Sequence, residues 1–135
     1  MRAVQQIESH PFVCECEKNL PEAEQTRFWI TQLTPIELAY VEDGYFGKTE
    51  DGNTITRAAV QAINALHLGL DRVENLPRSD GTPTILERDL TLSRLPGGKH
   101  PWKQSSLAAI EKAARGEVAK KIIDDAYLDE TTRKN

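Results

Sequence analysis

Residues 27–47, RFWITQLTPIELAYVEDGYFG, change abruptly from a strand pattern to a helix pattern, and this corner limits the folds open to the chain. Large and polar side chains alternate at first, as they do along a β-strand. Thr34, Pro35 and Glu37 then have the order of a helix start, with a threonine cap, a proline at the first helical position and a glutamate that can complete a capping box. The sequence therefore predicts a strand that leads directly into a helix over 35–43.

A second strand candidate, FVCECEK, lies ahead of the corner. Its alternation would place Phe12, Cys14 and Cys16 on one apolar face. The polar segment NLPEAEQ between the two strands suits an exposed connection, so residues 11–33 are predicted to form an antiparallel β-hairpin.

The rest of the chain is predicted to be helical, apart from one loop-rich segment. Apolar residues recur at helical spacing over 54–69 and again over 105–127. Residues 77–104 are rich in proline and glycine and are expected to form loops, and residues 129–135 a polar tail. We predict one α+β domain over 1–135, in which the N-terminal antiparallel hairpin packs on a small bundle of three to four α-helices.

Composition favours a soluble globular protein, because 39% of the residues are apolar and 28% are charged. No apolar run approaches the roughly 20 residues that cross a bilayer, so no membrane association is expected. The first residues, MRAVQQIESH, are too polar for a signal peptide, and we expect a cytosolic location.

The charge is unevenly distributed along the chain. The first 60 residues carry five Lys/Arg against ten Asp/Glu, which disfavours nucleic acid as a partner. Residues 85–121 carry eight Lys/Arg against four Asp/Glu, but Trp102 is their single aromatic residue. Without an interleaved stacking platform, this basic segment is better interpreted as a solvated face or a protein contact.

Three patterns suggest chemistry, and each one is incomplete. His10, Cys14 and Cys16 are zinc-ligand types, but a structural zinc site needs four ligands, so two buried thiols are the favoured interpretation. The segment RLPGGKH lacks the glycine and the serine or threonine that a phosphate-binding loop requires. The sequence shows no base beside a nucleophile. We therefore predict no enzyme activity, no metal and no cofactor.

The loop over residues 95–104, LPGGKHPWKQ, is the predicted contact with a protein partner. Trp102 would be exposed and would supply buried area on binding, while Lys99 and Lys103 would attract an acidic surface. A neighbouring copy could provide that surface through its acidic front half, which would give a head-to-tail oligomer. The acidic partner-binding candidates are Glu42, Asp43, Glu50 and Asp51.

Two segments give the chain a resemblance to small proteins of tailed bacteriophages. The first is the strand-to-helix corner, and the second is GLDRVEN, which is followed by the acidic glycine turn SDGT. The matching positions are Phe28, Ile30, Leu33, Thr34 and Glu37 in the corner, and Gly69, Leu70, Glu74 and Asn75 in the second segment.

Many proteins of this group are tail assembly chaperones or small virion structural proteins. The resemblance implies a non-catalytic protein of tail assembly that acts in the host cytoplasm and binds tape-measure, tube or neighbouring virion subunits. A permanent place in the head, neck or tail of the virion is one alternative. A small acidic regulatory protein or inhibitor, whose residues 37–51 mimic nucleic acid in a basic groove, is another.

Overall fold

The computed structural model describes residues 9–76 and 84–134, with side chains up to residue 127. It confirms a single small α+β domain, which begins with a pair of strands and ends with two helices. The five strands and four helices of the described residues are β1 (His10–Phe12), β2 (Arg27–Ile30), α1 (Pro35–Asp43), β3 (Phe46–Lys48), β4 (Thr54–Thr56), α2 (Ala58–Gly69), β5 (Leu70–Glu74), α3 (Gln104–Ala108) and α4 (Lys112–Lys134).

The predicted N-terminal pair of strands is present, with shorter strands. β1 and β2 are antiparallel, and Phe12 lies opposite Phe28. β1 ends at Phe12 because the backbone N–H of Glu15 turns to the Glu117 carboxylate on α4, and residues Glu15–Glu17 form a short 3-10 turn. Continuation of the strand through Cys16 is therefore wrong: Cys14 is buried, whereas Cys16 is exposed.

The corner forms as predicted. Thr34 caps α1 by accepting from the backbone N–H of Glu37, and the Glu37 carboxylate accepts from the backbone N–H of Thr34 in return. Because Pro35 has no N–H, this helix start leaves three N–H groups without partners in the helix, and the capping box satisfies two of them. Leu38 and Val41 then turn into the core.

The remaining predicted bounds need correction. The helix predicted over 54–69 begins only at Ala58, because residues 54–56 form a strand that pairs with β3. The helix predicted over 105–127 is two helices, since the chain breaks after Ala108 to bury Ile110. Helix α4 continues to Lys134, through most of the predicted polar tail. Positions 77–83 of the predicted loop and position 135 of the tail lie outside the described residues.

The strand β5 was not predicted, and it completes a three-stranded sheet in the order β1-β2-β5. β2 lies in the centre and is antiparallel to both neighbours. Its buried face, with Phe28 and Ile30, covers a core to which α1, α2, α3 and α4 contribute. Gly69 permits close packing of α2 on α4, because a side chain there would collide with Ile122.

Candidate functional site

Polar side chains from distant parts of the chain meet at the C-terminal end of α2. A helix leaves its last four carbonyl groups without partners inside the helix, and in α2 these belong to residues 66–69. All four carbonyls are satisfied by donors from beyond the helix. Leu66 O accepts from Leu70 N and Trp102 Nε1, His67 O from Arg88, Leu68 O from Lys99 and Gly69 O from Thr31.

Arg88 is the central donor of this cluster. Its guanidinium donates to His67 O at 2.8 Å, His100 O at 2.9 Å and Leu70 O at 3.0 Å. The same group lies 3.6 Å from the centre of the Trp102 ring, in a cation–π contact. Burial lowers the pKa of Arg88 to about 10, so the side chain remains charged at neutral pH. The negative end of the α2 dipole partly compensates this buried cation.

Trp102 is held by both its backbone and its ring. The segment around Arg88 pairs with the segment around Trp102 in a short antiparallel bridge. The indole Nε1 donates to Leu66 O and Leu70 O, each at 3.2 Å, and the backbone N–H of Trp102 donates to His67 Nδ1 at 3.0 Å. Because Nδ1 must accept this bond, the imidazole is neutral, and burial followed by the Arg88 charge lowers its pKa.

Lys99 links this cluster to α1. Its Nζ donates to Leu68 O at 2.5 Å and lies 3.7 Å from the carboxylate of Glu37, which is 2% exposed. Gly97, with φ +90°, lets the preceding turn approach that carboxylate, since a Cβ atom there would lie 2.7 Å from Oε2. Gly97 therefore permits the close turn from which Lys99 reaches Leu68 O and Glu37.

The predicted partner-binding loop is thus an internal cap for α2. The expectation that Trp102 is exposed is wrong, because the residue is only 6% exposed and belongs to the core. Lys99 is engaged by Leu68 and Glu37. Lys103 is exposed, but it forms an ion pair with Glu87 at 2.9 Å.

The predicted acidic residues lie towards the other end of α2, which is about 18 Å long at 1.5 Å per residue. Asp43 ends α1, and Glu50 and Asp51 form the tip of the β3–β4 hairpin; all three are exposed. The fourth, Glu42, accepts a hydrogen bond from the Tyr127 hydroxyl. The structure therefore does not bring the acidic and basic candidates together within one chain.

The three residues of the N-terminal segment that could bind a metal, His10, Cys14 and Cys16, lie in different environments. Cys14 is buried, where desolvation and a hydrogen bond with Glu117 raise the pKa of its thiol, so it is a poor nucleophile. Cys16 is exposed, and His10 lies 3.5 Å from Asp125. Among the described residues, no group of three or more His, Cys, Asp or Glu side chains could hold a metal ion.

Comparisons with protein-family models, with curated proteins and with solved structures found no match to this chain. Within residues 9–76 and 84–134, no helix combines the length and the apolar character that a membrane span requires.

Sequence reasoning missed Arg88 and His67 as members of the α2 cluster. Arg88 is one of eight basic residues in a segment with a polar pattern, and nothing local distinguishes it from Arg94. A weak signal does exist for His67, because helical spacing places this polar residue among the core-facing positions of α2.

Proposed function

We propose that the protein is a non-catalytic component of tailed-phage assembly that binds other proteins through its β3–β4 hairpin. The phage context is supported by the sequence resemblance, and the binding role by the exposed state of this hairpin. Phe46 is 61% exposed and Ile55 is 37% exposed. Neither strand of the hairpin packs extensively on another helix or strand of the described chain.

The hairpin has two open edges. Arg57 N donates to Tyr45 O and Thr49 N to Asn53 O, so these pairs form hydrogen bonds within the hairpin. In an antiparallel ladder such pairs alternate with pairs whose backbone groups point outward. The outward groups belong to Phe46 and Lys48 on one edge and to Thr54 and Thr56 on the other.

An isolated two-stranded hairpin is only marginally stable in water, and a third strand or a packed face is needed for independent stability. Here the turn is well formed, because Gly52 has φ +85° and Asn53 N donates to the Thr49 hydroxyl. An added strand from a partner would supply what the hairpin lacks, by the mode known as β-augmentation. Self-pairing is disfavoured, since Glu50 and Asp51 would bring like charges together.

The test is made in the phage that encodes the protein. We expect that deletion of the gene yields particles without normal tails in electron micrographs of lysates. We expect that Phe46→Ser with Ile55→Ser reproduces this defect, while the purified variant unfolds like the parent. The matched control is Ile85→Ser, because Ile85 is 77% exposed but lies outside the hairpin.

Normal tails in the deletion strain would overturn the assembly role, and normal tails in the hairpin variant would overturn the role of the hairpin. Mass spectrometry of purified virions then separates the two forms of the proposal. Absence from the particle identifies a transient chaperone, and many copies identify a permanent structural component.

A further inference from the structure

A groove of about 510 Å³ runs between the N-terminal 3-10 turns and the junction of α3 and α4. Its volume is within the range of about 300–1,000 Å³ that is common for binding sites. The floor is apolar and the rim is acidic. The apolar lining comes from Leu20, Phe28, Leu76, Ala109, Ile110 and Ala114, and the acidic lining from Glu17, Glu24 and Glu111.

The outer wall of this groove is fixed by hydrogen bonds. The side-chain amide of Gln25 lies within 3.3 Å of three backbone carbonyls in the turn at residues 17–20. Asn75, with φ +60°, donates to Ala23 O at 2.9 Å and Gln25 O at 3.1 Å. Thr26 donates back to Asn75 O. A wall held in this way is preorganised, so a ligand would not bear the cost of ordering it.

The carboxylates of the rim have no cationic partner among the described side chains. Glu17 accepts a hydrogen bond from the Thr26 backbone N–H, and neither it nor Glu24 nor Glu111 forms an ion pair there. The adjacent Lys18 is already paired with Glu15 at 2.8 Å. An apolar floor with unpaired negative charge at its edge complements a ligand that is both apolar and cationic.

We propose that this groove binds a short segment of a partner protein in which apolar side chains are flanked by Lys or Arg. The apolar side chains lie against Leu20, Ala109 and Ala114, which line the groove and are at least partly exposed. The cations reach Glu24 and Glu111. The site adds a second contact to the proposed assembly role and lies apart from the β3–β4 hairpin, so that it can be tested independently.

The probe is a short synthetic peptide of Leu and Lys, labelled with fluorescein, and binding is measured by fluorescence anisotropy. Reversal of the rim with Glu24→Lys and Glu111→Lys is expected to weaken binding about 10-fold, because two attractive contacts become repulsive. The matched control, Glu50→Lys with Asp51→Lys, changes the net charge equally at the hairpin tip and is expected to change affinity less than about 2-fold.

Cys16 lines the groove and is exposed, so it reports where the peptide lies. Saturating peptide is expected to slow the reaction of Cys16 with a thiol reagent. A peptide with Glu in place of Lys is expected neither to bind nor to protect the thiol.

Equal losses in the two charge-reversal pairs would show attraction to net charge alone and would overturn the proposal. Binding without protection of Cys16 would also overturn it, since the peptide would then lie elsewhere. These results are separate from the tail phenotype of the hairpin variant, so either proposal can fail without the other.

Discussion

Replacement of Arg88 by Met tests whether the cap on α2 holds the domain together. Methionine keeps a long apolar stem but removes the three hydrogen bonds that the guanidinium donates to His67 O, His100 O and Leu70 O. Leu70 O keeps its bond from Trp102 Nε1. The carbonyls of His67 and His100 lose the guanidinium as a donor.

The expected cost follows from those two carbonyls and from the lost cation–π contact. A partly buried acceptor left without a partner costs about 1 kcal/mol at the lower end of the usual range, and the cation–π contact contributes about 1 kcal/mol. We therefore expect Arg88→Met to lower the free energy of unfolding by about 3 kcal/mol, a large share of the about 5–15 kcal/mol of a typical domain. This value is an upper limit, because the parent protein must strip water from the Arg88 guanidinium on folding, and the Met variant avoids that cost.

Urea denaturation followed by far-UV circular dichroism measures the effect. With a slope of about 1–3 kcal/mol per molar urea, the midpoint is expected to fall by about 1–3 M. Arg94→Met is the matched control, because Arg94 is exposed and its one hydrogen bond within the described residues is to Gly98 O. Its cost is expected to stay below about 0.5 kcal/mol. Equal midpoints for the two variants would refute the account of the cap.

Three further outcomes are expected. Thr34→Ala should cost about 1 kcal/mol through loss of the capping box, whereas Thr54→Ala in the exposed hairpin should not; equal melting temperatures would contradict this. The pKa of His67 is lowered in the folded protein, so the unfolded chain binds a proton at this residue more readily. The contribution of neutral His67 to the free energy of unfolding is therefore complete above pH 6.5, the ordinary pKa, and declines as the pH falls below it. His67→Gln should remove that part of the pH dependence of the urea midpoint, and an unchanged profile would exclude the effect. With a thiol reagent, Cys16 should react at once and Cys14 only as the domain unfolds, since burial raises the pKa of Cys14; rapid reaction of both thiols would show that Cys14 is accessible.

The strand-to-helix corner could be predicted because its determinants are local. The capping box links Thr34 to Glu37, three residues later, and the pattern is visible in the sequence. The bounds of α1 were therefore predicted correctly. The alternation along β2 is also local, and it places Phe28 and Ile30 on the same face, which is the buried one.

The α2 cap and the strand β5 could not be predicted because their determinants are distant. Arg88 and Trp102 meet the end of α2 across separations of 18 to 36 residues, so Trp102, among prolines and glycines, is indistinguishable from an exposed loop residue. In β5, Leu70 and Val73 are three positions apart, and an irregularity in the pairing with β2 hides the alternation.

The contrast between the two ends of α2 has a consequence for hydrogen exchange. Amides near the capped end are tied to the sheet, α1 and the segment around Trp102, so they should exchange only when the whole domain opens. Amides of the β3–β4 hairpin should exchange through local fluctuations, since the hairpin makes few contacts with other helices and strands and can open without disturbing them. The hairpin can therefore become more or less ordered while the core stays folded. Slowed exchange confined to residues 46–56 would indicate that a partner is bound to the hairpin.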